Sequence, residues 1–100
     1  MVIRITWGRL RAGAWNEFER TYRAKVIEGK TVKGLRGRLL VQDSADEDAG
    51  FAMSLWDNLA DMETYEQSAV FQEFLGTLEP FFVGEFKTHR CEVKYTDLVS

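Results

Sequence analysis

A single cysteine, a single histidine and a single proline stand among one hundred residues. Cys91 alone can close no internal disulfide and can found no thiolate metal cluster. A reducing, cytoplasmic setting is therefore the expectation. His89 has no second imidazole to join it in a metal site, so no metal is expected. The opening Met1-Val2-Ile3-Arg4-Ile5-Thr6-Trp7 lacks the charged lead and apolar run of a secretory signal. No segment reaches the ~20 apolar residues of a membrane helix, so no membrane partner is expected. Excess positive charge is missing as well. Thirteen Lys plus Arg against sixteen Asp plus Glu give a formal charge of -3, which offers no general attraction for nucleic acid or anionic lipid. What is abundant is apolar side chain: 45% of residues are hydrophobic and 13% aromatic, a globular composition with enough material for one core. Residues 1–100 read as a single domain.

Hydrophobic periodicity divides the chain. Ile3, Ile5 and Trp7 alternate with Arg4, Thr6 and Gly8, which predicts a strand over Val2–Arg9. Over 14–28 the period changes: Trp15, Phe18, Tyr22 and Val26 recur at helical spacing among charged residues, and Gly29 is placed to end that helix. Gly34–Gln42 is strand-like, with Leu35, Leu39 and Val41 on one parity and Arg36, Arg38 and Gln42 on the other. A polar cluster from Asp43 to Gly50 makes a turn into a strand over Phe51–Trp56, so the two strands form an antiparallel hairpin. Asn58 with Asp61 three residues on is a helix-start signal. Ser68 caps a second segment carrying Phe71, Phe74, Leu75 and Leu78, which Pro80 ends. Glu85–Tyr95 alternates as a long last strand.

The order β-α-β-β-α-β predicts an α+β, ferredoxin-like fold, with a four-stranded antiparallel sheet and its helices on one face. The second face then lies bare, and Leu35, Leu39 and Val41, or Phe51, Met53 and Leu55, make it apolar. Two such sheets packed face to face would bury it, so a homodimer is expected.

Several chemistries fail on residue type. The segment Gly50–Trp56 faintly echoes an RNA-recognition strand. Ala49 stands where a basic residue is needed, and Met53 and Leu55 replace stacking aromatics. Asp43, Asp46, Glu47 and Asp48 lack calcium-loop spacing and read as a solvated hairpin tip. Cys91 two residues from His89 could touch it on one strand, but a buried, inert thiol is the commoner outcome. A lyase or isomerase would need His89 as its base, the one side chain whose ordinary pKa lies near neutrality. The aromatics remain. They either fill the layer between helices and sheet or wall a cavity for a small, flat hydrophobic molecule, in which Trp, Tyr and Thr supply the few polar contacts. Arg90, on an inward parity, would orient an anionic or phenolic ligand.

With Gly34-Leu35 opening the second strand, Trp56-Asp57 closing the third, then Tyr65-Glu66-Gln67-Ser68 and Phe71, the chain resembles the antibiotic biosynthesis monooxygenase domain over about residues 2–95. The resemblance implies a dimeric α/β barrel. In its heme-degrading branch an asparagine on the first strand, a tryptophan and a helical histidine hold the heme. Trp56 matches the tryptophan, but Thr6 and Phe74 stand at the other two positions, which removes the axial iron ligand. Its other branch oxidises anthrone-like phenols with O2 and no cofactor. There the resemblance assigns catalytic roles to Trp56 and Tyr65 as donors and to Arg90 as anion stabiliser. Thr6, Tyr22, Phe71, Phe74 and His89 are the substrate-binding candidates. The competing expectation is a non-enzymatic binding or interaction domain of the same fold.

Overall fold

A computed structural model describes residues 1–28 and 31–98. The alternating residues Val2–Arg9 form β1 and the helical-period residues Trp15–Glu28 form α1. The strands β2 (Leu35–Gln42) and β3 (Ala49–Trp56) make the expected hairpin. Next come α2 (Leu59–Glu66) and α3 (Ala69–Leu78), a 3-10 turn over Glu79–Phe81, and β4 (Lys87–Glu92). The sheet order is β2-β3-β1-β4, antiparallel throughout, which is the ferredoxin-like α+β arrangement. Both start signals work as read. The Asn58 side chain accepts from the Asp61 N–H at 2.8 Å and Ser68 Oγ from that of Phe71 at 3.1 Å; caps of this kind are worth about 1 kcal/mol each. Gly29, the expected stop for α1, lies outside the described residues.

The last strand is shorter than its alternation suggests. Val2 pairs with Glu92, and the Val93 N–H reaches the Met1 carbonyl at 2.9 Å. There β1 runs out, and residues 93–98 have no neighbouring strand to continue the ladder.

Register decides which parity faces the helices. Arg4, Thr6 and Gly8 of β1 stand across from Ser54, Ala52 and Gly50 of β3 and share the helix-covered face. Ile3, Ile5 and Trp7 point the other way with Leu55, Met53 and Phe51, and Leu39 and Val41 join them from β2. The second sheet face is thus apolar, as expected, with one correction. A register shift between Leu35 and Gly37 sets Leu35 opposite Trp56, on the helix side.

The core under the helices gathers Leu10, Phe18, Tyr22, Leu78 and Phe81. Phe18 is 3% exposed and meets Phe81 and Phe82 edge-on at 5.5 and 5.7 Å between ring centres. Burying one such ring contributes roughly 1.5–3 kcal/mol. Close approaches fix two glycines in the sheet. A side chain on Gly8 would strike the Phe82 ring, and one on Gly50 would strike the Val41 carbonyl and the Trp15 indole. At the hairpin tip Asp46 pairs with Arg9 at 2.6 Å and Asp48 accepts from the Gly13 N–H at 3.2 Å. Among the described residues no cluster of His, Cys, Asp and Glu is arranged to hold a metal, and no helix is long and apolar enough to cross a membrane.

Candidate ligand site

Between the sheet and the helices the aromatics leave a cavity. Its floor is Arg4 and Thr6 of β1, Arg38 of β2, and Ala52, Ser54 and Trp56 of β3. Phe18 and Tyr22 of α1, Tyr65 of α2, and Phe71, Phe74, Leu75 and Leu78 of α3 form the roof. The space open to the centres of water molecules is about 70 Å³. That is room for about two or three waters at the ~30 Å³ each takes in the liquid, and about half of the ~150 Å³ that holds a benzene ring. Aromatic contacts make the roof continuous. Tyr65 lies between Trp56 and Phe71 at 5.3 and 5.2 Å, and Tyr22 meets Phe74 edge-on at 5.4 Å. A smaller void of about 20 Å³ continues past Phe18, Ala52 and Phe82 to Trp15, whose buried indole N–H has no acceptor among the described residues.

A charge cluster lies beside the cavity and reaches it through Arg4. The Glu66 carboxylate at the end of α2 accepts from Arg4 Nε at 2.7 Å and from Arg90 Nη2 at 2.7 Å, with Arg90 Nε at 3.0 and 3.1 Å. Burial alone would raise the pKa of Glu66, but the hydrogen bonds from Arg90 and Arg4 outweigh it and hold the carboxyl below its ordinary range. The same bond raises the pKa of Arg90. Arg4 also lies 4.9 Å over the Phe71 ring and donates to Thr6 Oγ1 at 3.2 Å, and Thr6 shares a hydrogen bond of 2.9 Å with Thr88. Two cations on one anion leave this cluster with one net positive charge.

Most of the expected site residues come together here. Trp56, Tyr65, Tyr22, Phe71 and Phe74 line the cavity, and Thr6 joins them from the floor. Arg90 and His89 do not. Arg90 is committed to Glu66 and lines an outer hollow with Val2, Asp57 and Leu59. His89 pairs in register with Ile5, while its neighbour Thr88 bonds to Thr6. Strand alternation therefore sends His89 to the opposite face of the sheet, and the acid–base reading that needed it in the cavity loses its base. Cys91 shares that outer face and is exposed, against the expectation of a buried thiol, because it sits on an edge strand with no cover over it. The Trp56 donor is also engaged. Its residue is 1% exposed, and its Nε1–H donates to Ser54 Oγ at 2.8 Å.

The sequence reading missed Arg4, Arg38, Ser54 and Glu66. Parity held a clue for Arg4, since it stands two residues from Thr6 and so on the same face. Arg38 and Ser54 are cross-strand partners. Only the hairpin register brings them side by side.

A four-stranded antiparallel sheet with helices on one face and an aromatic cavity beneath them is an α+β domain of ferredoxin-like type. Residues 1–76 match the family model described as antibiotic biosynthesis monooxygenase, and the chain belongs to that family. No curated protein matches it. Among solved structures it is similar to a candidate antibiotic biosynthesis monooxygenase from Bordetella bronchiseptica, with 20% identity, 95% of this chain and 97% of that one covered, and a TM-score of 0.82. It is similar also to a point mutant of SnoaB, a cofactor-independent oxygenase from Streptomyces nogalater, with 14% identity, coverage of 95% and 94%, and a TM-score of 0.81. A conserved protein from Methanosarcina mazei Go1 matches at 15% identity over 94% of each chain, with a TM-score of 0.79. At these identities the structural likenesses establish the fold.

Proposed function

We propose that the protein is a cofactor-independent monooxygenase acting on a small aromatic or phenolic molecule of polyketide type, bound between helices and sheet, and that it works as a homodimer. The observation that carries the reading is the aromatic cavity with hydroxyls on its wall. Tyr22 and Tyr65 contribute phenols that make no hydrogen bond among the described residues, and Ser54 contributes an alcohol. Burial raises the pKa of Tyr22 above its ordinary value, which keeps its proton available for donation at neutral pH. An electron-rich phenolic ring reduces O2 itself once its anion is stabilised in a dry site. One oxygen atom enters the activated methylene as a carbonyl, and the other leaves as water with both hydrogens of that carbon. The substrate is then the sole reductant. Tyr65 and Ser54 are the proposed donors to the substrate oxygen. Trp56 acts through Ser54 as a positioning residue.

The apolar outer face supports the homodimer. Leu39 is 51% exposed in the single chain, and Ile5, Trp7, Phe51 and Met53 lie beside it without a covering layer. A second copy buries this face by matching it with itself.

Oxygen consumption with the anthrone dithranol, measured against spontaneous oxidation, tests the activity. Uptake well above that background, cut at least tenfold by Tyr65→Phe together with Ser54→Ala, is the expected result. Uptake equal to the background removes the enzymatic reading. The small cavity volume and the prior engagement of the Trp56 N–H favour one alternative, a non-enzymatic domain that binds a single-ring ligand. Native mass spectrometry that finds an aromatic ligand on a protein inert toward O2 would decide for it.

A further inference from the structure

Among the described residues two arginines line the cavity, and no aspartate, glutamate or histidine does. Arg4 has an anion partner in Glu66, which it shares with Arg90. Arg38 does not: among the described residues it has no ion-pair partner and no hydrogen-bond acceptor, although it is only partly exposed and borders apolar walls. A guanidinium held against apolar surface without an anion is unfavourable, and five N–H donors in a planar fork suit a carboxylate or a phenolate. The polar groups that share its cavity point to the same complement. Ser54 faces Arg38 directly across the β2–β3 ladder. Its oxygen already accepts the Trp56 N–H, so its own proton is free to be donated. Tyr22 lines the same cavity, and the charge of Arg38 offsets part of the rise that burial causes in its pKa. Arginine, alcohol and phenol can all donate, and among the described residues the cavity offers no carboxylate to compete for them.

We propose that the ligand of this cavity is an anion: a single aromatic ring whose carboxylate is bound by Arg38, with Ser54 and Tyr22 donating to the same oxygens. This rests on the reading of the cavity as a ligand site and adds the charge of the ligand and the residue that selects it. The free space of about 70 Å³ is about half of the ~150 Å³ that holds a benzene ring, so the roof side chains must shift to admit one.

The test compares para-hydroxybenzoate with its neutral isostere para-hydroxybenzamide, titrated into the full chain by calorimetry and by NMR shifts of the cavity aromatics. The anion is expected to bind at least tenfold more tightly than the amide. Arg38→Gln is expected to weaken the anion about tenfold and leave the amide unchanged, and Arg38→Lys to restore part of the difference. Arg36→Gln, next but one on the same strand and paired with Asp57 outside the cavity, should change neither. If both compounds bind equally, or if Arg38→Gln spares the preference in a folded variant, the anion assignment fails while the ligand site stands. If neither binds, the ligand site fails and the assignment with it.

Discussion

Glu66→Gln removes the charge shared by two guanidiniums while keeping the shape of the side chain. The Arg4 and Glu66 side chains are 15% and 11% exposed, so their contact is largely shielded from water. A hydrogen bond to a charged group in such a place contributes about 1.5–3 kcal/mol. Arg90 is 46% exposed, and solvent screening reduces its share to about 0.5–1 kcal/mol. Gln keeps one carbonyl acceptor, so the lower end of the sum applies, a loss of about 2 kcal/mol. For a domain of this size that lowers Tm by roughly 8–16 °C. Urea unfolding at one fixed protein concentration measures it. The pH dependence gives a second check. The carboxyl is held below its ordinary pKa in the folded protein, so its stabilisation is fully present above the unfolded value of about 4.3 and is lost as pH falls through the folded value. The gap between wild type and Glu66→Gln should therefore be full at neutrality and close in acid. A variant within about 0.5 kcal/mol of wild type at neutral pH, the usual span of surface substitutions, would refute the reasoning. So would a gap that survives unchanged in strong acid.

Three further changes follow from the packing. Ser54→Ala leaves the Trp56 N–H buried without an acceptor and should cost about 1–3 kcal/mol in denaturant unfolding. Gly50→Ala drives a methyl into the Val41 carbonyl, a backbone atom that cannot rotate aside, and should destabilise by about 1–3 kcal/mol. Met53→Glu puts a charge in the middle of the outer apolar face and should leave the monomer folded, read by circular dichroism, while sedimentation shows the dimer gone.

Much of this fold is written locally. Period two over Val2–Arg9, helical spacing from Trp15 to Val26 and the side-chain caps at Asn58 and Ser68 depend on neighbours a few residues apart, and all three appear in the structure. The aromatics that became the cavity roof were legible for the same reason, since helix periodicity puts Tyr22, Phe71 and Phe74 on inward faces.

Alternation, however, tells only that a strand has two faces, not which one meets the helices. That choice is made by pairing between distant segments. The β1–β4 register turned His89 away from the cavity, and a one-residue shift in β2 carried Leu35 to the other side. Charge partners are set in the same way. Glu66 is 62 residues from Arg4 and 24 from Arg90, and only the packing of α2 over the sheet edge ties both arginines to it. Among the described residues Arg38 is left without an anion beside Ser54 by that same arrangement. Local pattern was enough to set the elements, their order and the aromatic stock of the site. The tertiary structure alone decided which arginine is free to meet a ligand, because that depends on contacts between residues that the chain holds far apart.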